Sequence, residues 1–410
     1  MLCLETKRMN RSTRPEPQPR RSPHAEGRAR PTGWGRLCLA LLIVMATVGA
    51  FHTAFGQRLM ENLGRGVVAV RSSSSQVFIS WRLLGLDPPD IAFNVYRSAN
   101  GGPAVKLNDA PLTGGCNFTD TTANPGQNNT YHVRPVIGGI EQTPSGTYTL
   151  PANALVRPMF AIPLQPLPDH YVHFVWVGDL DGDGEYDFVV NRLPLVGGLT
   201  QKLEAYLRDG TFLWRADFGP NSVDPDGIYT PAAAIDAGQW DGVTVYDLDS
   251  DGKAEVIVKS ANGVTFGDGT QVVVGNNLTQ FISVLDGMTG AERARSLLPN
   301  PWPSSGPLGT LFGIGYCDGE RPSLLIHAKN RVGGSGTPFN VIQSAWDFRD
   351  GTLTQRWSIH WNGAVAPPVS HQMRLVDVDG DGKDDMVPGM HAVSSSGTLL
   401  YNLGLQGVVH

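Results

Sequence analysis

An acidic segment of nine residues recurs three times in this 410-residue chain, each time between two apolar stretches. The copies read DLDGDGEYD from Asp179, DLDSDGKAE from Asp247 and DVDGDGKDD from Asp377. A degenerate copy, YCDGERPSLLIH, begins at Tyr316, so successive copies start 68, 69 and 61 residues apart. A repeat of this length corresponds to one supersecondary unit that buries its apolar face against its neighbours. The chain is therefore expected to build a series of similar units.

A second motif follows each acidic segment and defines what the unit is. Asp-Gly or Ser-Gly pairs between apolar runs are strong β-hairpin signals. They occur in LRDGTFLW at 207–214, VLDGMTGAE at 284–292, FRDGTLTQRW at 348–357 and SSGTLLY at 395–401. One acidic-loop hairpin plus one such hairpin makes a four-stranded unit, and radial repetition of these units is typical of a β-propeller. Residues 151–410 are thus predicted to form about four propeller blades, too few for the usual closed ring, so the propeller is expected to be incomplete.

The first 150 residues have a different pattern. Residues 57–150 contain short alternating strands such as QVFISWRLL and IAFNVYRS, separated by turns rich in Gly, Asn and Pro, which predict a small β-sandwich. Residues 1–56 combine an Arg-rich leader with a short apolar run, LCLALLIVMATVGAF, and predict a signal peptide. The sequence therefore predicts an all-β protein that is secreted or periplasmic, with no stable membrane association after signal cleavage.

The charge of the chain limits its partners. Without residues 1–56 the chain keeps 23 basic and 35 acidic residues, a net charge near −12. A strongly acidic protein is a poor partner for nucleic acid, so that class of function is excluded. We expect a monomer.

The acidic segments predict metal sites. A D-x-D-x-D-G run places oxygen ligands at alternating positions of a tight turn, with a backbone carbonyl at position 7 and an acid at position 9. A divalent ion between the carboxylates also offsets their mutual repulsion. Several Ca²⁺ ions are predicted, because the loops are rich in oxygen ligands and flexible. The predicted ligands are Asp179, Asp181, Asp183, Glu185 (backbone) and Asp187; Asp247, Asp249, Asp251, Lys253 (backbone) and Glu255; and Asp377, Asp379, Asp381, Lys383 (backbone) and Asp385.

Such loops support two interpretations. In many propellers they only stabilise the edge of a blade, and that structural role is the one we favour for each loop here. They locate ions but do not identify a reaction.

Four stretches of the chain resemble family 11 rhamnogalacturonan lyases. The stretch MENLGRGVVAVRSSSSQVFISWRLLGLDPPDIAFNVYR at 60–97 resembles the opening of that family. VGDLDGDGEYDFVV, GVTVYDLDSDGKAEV and MRLVDVDGDGKDD resemble its first blades. The segments NRLPLVGG (191–198) and AGQWDGV (237–243) depart from the family pattern. The resemblance covers residues 60 to 410.

The resemblance implies a fold and a reaction. The family has a fibronectin-like β-domain followed by an eight-bladed, calcium-rich propeller, and it cleaves the rhamnogalacturonan backbone of pectin by β-elimination. This chain would then hold the first domain and about half of the propeller. The chemistry calls for a base of the Lys, His or Arg type and for stabilisation of the enolate, for which a cation at the substrate carboxylate is suited.

The catalytic candidates are basic residues near the ends of predicted strands. His371 and Arg374 precede the third acidic loop, and His371 resembles a family histidine in the same place; it is the preferred candidate, for binding or as base. Lys259 is a third candidate, and His327, Lys329 and Arg331 form a further group. Each is also compatible with an ordinary structural role.

Three functions stay open from the sequence. The leading hypothesis is a secreted, calcium-dependent rhamnogalacturonan lyase. The alternatives are a non-catalytic carbohydrate-binding or adhesion propeller and an inactive truncated fragment.

Overall fold

Antiparallel strands make up almost all of the regular structure. The computed structural model describes residues 57–223, 234–331, 338–367 and 371–404. Apart from the short 3-10 segments Pro220–Ser222 and Pro303–Ser305, the elements of this part are strands, and every pair of them is antiparallel. The predicted all-β class is confirmed, while the predicted signal peptide lies outside the described residues. No helix in the described part has the length and apolar character needed to cross a membrane.

The N-terminal strands form two sheets around one core. They are β1 (Val68–Arg71), β2 (Val77–Ser80), β3 (Ala92–Ala99), β4 (Val105–Lys106), β5 (Asn117–Asp120), β6 (Asn129–Ile137), β7 (Ile140–Glu141) and β8 (Tyr148–Leu150). One sheet has the order β1-β2-β5, and the other has the order β4-β3-β6-β7 with β8 also paired to β6. Alternate residues of both sheets point inward, among them Ile79, Val95 and Val133, as the two-residue period of a strand requires. The boundary at residue 150 stays a prediction.

Four sheets of four strands follow, which we call the repeat sheets. The first contains β9 (His170–Gly178), β10 (Asp187–Pro194), β11 (Lys202–Tyr206) and β12 (Phe212–Asp217); the second contains β13 (Thr244–Tyr246), β14 (Glu255–Ala261), β15 (Gln280–Leu285) and β16 (Glu292–Leu297). The third contains β17 (Gly309–Gly315), β18 (Ser323–Arg331), β19 (Phe339–Arg349) and β20 (Thr352–Trp361); the fourth contains β21 (Arg374–Val376), β22 (Asp385–Val387), β23 (His391–Val393) and β24 (Leu399–Asn402). In each sheet the strands follow one another in chain order, as two hairpins predict.

Successive repeat sheets pack face to face and share their cores. Val256 and Val258 of β14 lie in the core between the first and second sheets. The intervening Ile257 points the other way, into the core shared with the third sheet. The first strands of neighbouring sheets also contact each other, β9 with β13, β13 with β17 and β17 with β21. Because an inner sheet is buried on both faces, its strands read as continuous apolar runs rather than as an alternation.

Residues 58–66, which we call the crossing segment, connect the acidic ends of the repeat sheets. Arg58 makes an ion pair of 2.9 Å with Asp384, beside the third acidic loop. At the other end Gly64 donates its N–H to the carbonyl of Gly184 in the first loop at 2.5 Å. Gly184 has φ 85°, and a Cβ there would lie 2.9 Å from the nitrogen of Gly64, so only glycine permits this approach. The segment therefore ties the loops of different sheets together.

The packing between the first two repeat sheets depends on Gly287. Its carbonyl accepts a hydrogen bond of 2.8 Å from Trp214 Nε1. A Cβ at Gly287 would overlap the carbonyl oxygen of Ala254 and lie 2.9 Å from Leu180. We expect Gly287→Ala to lower the free energy of unfolding by about 1–3 kcal/mol through overpacking, measured by urea denaturation. Gly275→Ala is the matched control, because nothing lies within 4 Å of its added methyl group. Equal stability of the two variants would contradict this packing.

Candidate functional site

The three acidic loops each bring carboxylates together at the same end of their sheets. Oxygens of three side chains per loop lie within 4.8 Å of one another, an arrangement that could hold a metal ion. The groups are Asp179, Asp181 and Asp187; Asp247, Asp249 and Asp251; and Asp377, Asp379 and Asp385. Neighbouring loops are adjacent in space, since Ala254 of the second loop donates its N–H to the carbonyl of Asp179 at 2.7 Å. The degenerate copy at Tyr316 supplies no such group among the described residues.

The same hydrogen bonds shape every loop. The first acid accepts backbone N–H groups from the turn, as Asp179 does from Gly182 at 2.8 Å and Gly184 at 2.7 Å. The ninth acid accepts from the second residue of the loop, as Asp187 does from Leu180 at 3.0 Å. Equivalent bonds occur around Asp247 with Glu255 and around Asp377 with Asp385. The spacing of the acids therefore builds the turn as well as the cluster.

Burial makes the negative charge of these loops costly. Together with repulsion from neighbouring aspartates, it raises the pKa of Asp187 to about 7 and that of Glu255 to about 8. Glu61 of the crossing segment adds another carboxylate next to Asp179 and Asp247, and burial raises its pKa to about 7. Hard oxygen ligands, tight turns and unfavourable local charge all fit a divalent cation.

Three of the predicted ligands, Glu185, Asp249 and Glu255, form close ion pairs with arginine that the spacing did not suggest. The side chain of Glu185 leaves the first loop and pairs with Arg82 at 2.9 Å and Arg208 at 2.7 Å. In the second loop Arg293 pairs with Asp249 at 2.7 Å and with Glu255 at 2.5 Å. Part of the acidic charge is thus offset by arginine. Metal ligation by each residue of the three predicted sets, through its side chain or its backbone, stays a prediction.

A basic and aromatic cluster lies at the opposite end of the repeat sheets. A small cavity there is lined by Trp240, Gly309, Lys329, Asn330, Arg331 and Phe339. The ring of His371 is 5.2 Å from that of Trp240, centroid to centroid, so His371 joins the same cluster. Burial, with help from Arg331, lowers the pKa of Lys329 to about 8, close to the range in which an amine acts as a base.

The other catalytic candidates are not among the residues that line this cavity. Lys259 is buried, its Nζ is 2.6 Å from Asp241 and it donates to the carbonyl of Leu308 at 2.8 Å, so its contacts favour a structural role. Arg374 is exposed on β21 and bonds Gln372 at 3.4 Å. His327 is buried against Gln343. The catalytic roles proposed for these residues stay predictions.

The acidic loops and the basic cluster are well separated. β18 begins with Ser323 next to the loop end, and Lys329 is six residues along the same strand. At about 3.3 Å per residue this places the two ends roughly 20 Å apart. An ion held by one of the three loops therefore cannot also touch a sugar residue bound at the basic cluster.

Comparison with known proteins identifies the family. Residues 58–150 match the model of the rhamnogalacturonan I lyase beta-sheet domain, and residues 170–291 and 310–408 match that of the C-terminal domain of rhamnogalacturonan lyase family 11. The second model alone matches more than half of the chain. The chain belongs to rhamnogalacturonan lyase family 11, and the resemblance found in its sequence is confirmed.

Two proteins of Bacillus subtilis (strain 168) are similar over most of this chain. The rhamnogalacturonan endolyase YesW is 33% identical over 414 residues, covering 90% of this chain and 61% of YesW. The rhamnogalacturonan exolyase YesX is 33% identical over 389 residues, covering 85% and 59%. The chain therefore spans about three-fifths of the length of these relatives.

Solved structures agree with this assignment. The crystal structure of YesW matches with a TM-score of 0.68 and 31% identity, over 86% of this chain and 62% of that one. A rhamnogalacturonan lyase of Bacillus licheniformis matches with a TM-score of 0.66 and 31% identity, over the same shares.

The ion pair of Lys259 can be tested as a structural element. Removing one partner leaves a buried charge uncompensated, so we expect Lys259→Met or Asp241→Asn to lower the free energy of unfolding by about 3–5 kcal/mol. Lys106→Met, on the exposed strand β4, is the control and should cost almost nothing. Urea denaturation measures the difference. Normal stability of Lys259→Met together with lost catalysis would restore Lys259 as a catalytic candidate.

Proposed function

We propose that this protein is a calcium-dependent polysaccharide lyase that cleaves the rhamnogalacturonan backbone of pectin by β-elimination. Family membership supports the reaction class, and the names of YesW and YesX support the substrate. The observation that carries the proposal is the cluster of Lys329, Arg331, Trp240 and His371 at one end of the repeat sheets. A base, a cationic group for a carboxylate and aromatic surface for a sugar are the parts that such a reaction needs.

The proposed chemistry assigns a task to each group. Arg331 pairs with the galacturonate carboxylate, which makes the proton on C5 more acidic and stabilises the enolate. Lys329 Nζ takes that proton; the C5–H electrons form the C4–C5 double bond, and the C4–O4 bond breaks. His371 is placed beside Trp240 to bind the sugar or to return a proton to the departing oxygen. Arg374 is a second cationic contact for the polyanion.

We further propose that the repeat sheets are blades of a β-propeller and that the N-terminal sheets form a fibronectin-like domain. The contacts between the first strands of neighbouring sheets support the propeller, because these strands would line its axis. We also propose that the acidic loops hold Ca²⁺ as a structural ion and that the protein is secreted. The loops' oxygen ligands support the first, and the basic and apolar sequence of residues 1–56 supports the second.

The pH dependence of turnover tests the base. If Lys329 must be neutral to accept the proton, activity rises with pH through about 8 and levels off above it. We expect Lys329→Met to reduce kcat by about 10²–10⁴-fold, with ultraviolet absorbance of the unsaturated product as the measurement. Lys253→Met, at the other end of the sheets, should keep full activity. A profile that rises near pH 6.5 and is abolished by His371→Ala would make His371 the base instead.

The absorbance assay also separates the lyase from a binding module. Rhamnogalacturonan that binds without any gain in absorbance would contradict the enzyme and favour a carbohydrate-binding propeller.

Calcium binding is tested by chelation and by substituting a ligand in a single loop. We expect chelation to lower Tm and Asp247→Asn to remove one binding site in calcium titration calorimetry, because the first acid of a loop both shapes the turn and supplies a ligand. Asp318→Asn is the control, since Asp318 belongs to the degenerate copy and caps its turn without joining a cluster. A calorimetric titration that is identical for Asp247→Asn and wild type would contradict the proposed site.

A further inference from the structure

A groove of about 830 Å³ lies between the N-terminal sheets and the first acidic loop. Its walls include Arg71, Tyr148, Arg157, Phe160, Asp181 and Asp209. It is at the loop end of the repeat sheets and shares no lining residue with the cavity at the basic cluster. The proposed catalytic groups therefore do not account for it.

Arg157 is the cationic group of this groove that is available to a ligand. Arg208 is paired with Glu185, and Arg71 donates to the carbonyls of Ala154 at 2.9 Å and Ser74 at 3.2 Å. Arg157 is exposed, and within the described part of the chain its side chain is in no ion pair. A guanidinium binds a carboxylate through two parallel hydrogen bonds, which favours an anionic ligand.

The rest of the wall suits a sugar. Phe160 packs edge-on to Tyr148, with ring centroids 6.4 Å apart, and Met159 beside it is 62% exposed. Apolar and aromatic surface of this kind packs against the C–H face of a sugar ring, while the carboxylates of Asp181 and Asp209 can accept hydrogen bonds from hydroxyl groups.

A peptide ligand fits the groove less well. A peptide that adds a strand needs an open sheet edge. The edge of β1 is already occupied at Arg71, which forms a parallel bridge with Val156 and accepts the N–H of Arg157 at 2.9 Å. The free surface of the groove is therefore side-chain surface rather than backbone.

We propose that this groove is a second saccharide-binding site, which takes a uronate-bearing oligosaccharide through Arg157 and Phe160. This proposal rests on the proposed function only for the identity of the polymer that supplies the oligosaccharide. Such a site would hold the substrate chain at a distance from the place of cleavage.

The acidic wall predicts how binding depends on calcium. Asp181, Asp183 and Asp209 face the same groove and repel a carboxylate. Charge compensation at the first loop removes much of this repulsion, so affinity for a uronate should rise with Ca²⁺ while affinity for a neutral sugar should not.

The test is titration calorimetry of the full chain with trigalacturonate, with and without CaCl₂, and with a neutral galactose trimer as the second probe. We expect Arg157→Ala to weaken trigalacturonate binding about tenfold and Arg157→Lys to recover part of it, since two charge-assisted hydrogen bonds are lost. Phe160→Ala should weaken the binding of both the charged and the neutral trimer. Lys106→Ala removes the same charge from an exposed position of the N-terminal sheets and should change neither. Tm confirms that the variants fold.

Identical binding by wild type and Arg157→Ala would overturn the proposal, and so would equal affinity for the charged and neutral trimers. Turnover of a short rhamnogalacturonan oligosaccharide should be unchanged in Arg157→Ala. If no lyase activity is found but binding still depends on Arg157, the proposed function is contradicted and the second saccharide-binding site is supported. If lyase activity is found but no binding depends on Arg157, the proposed function stands and the proposed second binding site is contradicted.

Discussion

The structure depends on holding many carboxylates close together at one end of the repeat sheets. Each loop lowers the cost with backbone N–H groups aimed at its first acid, as at Asp179. Arg293 supplies a positive charge to the second loop. Arg82 and Arg208 form ion pairs with the side chain of Glu185, which therefore lies outside the carboxylate cluster of the first loop. Even with these contacts, the pKa values of the buried acids are raised. The ionised clusters are therefore still unfavourable in the absence of a bound cation. The same loops join successive sheets, so whatever stabilises their charge also stabilises the stacking of the sheets.

The crossing segment extends this dependence to the N-terminal sheets. Arg58 reaches the fourth repeat sheet through Asp384, whereas Gly64 and Gly66 bond the first loop at Gly184 and Glu185. One stretch of nine residues thereby links elements that are more than 300 residues apart in the chain. The closeness of the two backbones requires glycine at Gly184 of the loop, where a Cβ would lie 2.9 Å from the nitrogen of Gly64.

Much of this architecture could be predicted from local pattern, and the rest depends on contacts that local pattern does not encode. The Asp-Gly pairs and acidic repeats predicted the hairpins and the carboxylate clusters, because both are set by residues within ten positions of one another. The pairing of Glu255 with Arg293 and of Lys259 with Asp241 joins neighbouring strands or loops by packing, so spacing could not reveal it. Trp240 and His371 are 131 residues apart and meet only because their sheets stack. One sequence feature could have pointed to Trp240 as a functional residue: it lies in the segment that departs from the family pattern.

The separation of acidic and basic ends is compatible with the proposed action of a strongly acidic protein on a polyanion. With residues 1–56 removed, the chain is near −12, and a uniform distribution of that charge would repel a pectin chain from every side. Here the carboxylate clusters lie about 20 Å from Lys329, roughly twice the Debye length at physiological salt. Two acids lie near the basic cluster, Asp236 and Asp241; both are buried, and Asp241 is paired with Lys259. In the proposed function, the charged groups that a substrate meets at the cavity wall are Lys329 and Arg331. In the proposed function, calcium at the loops would act on folding and on the second groove, so that the two ends could be altered independently.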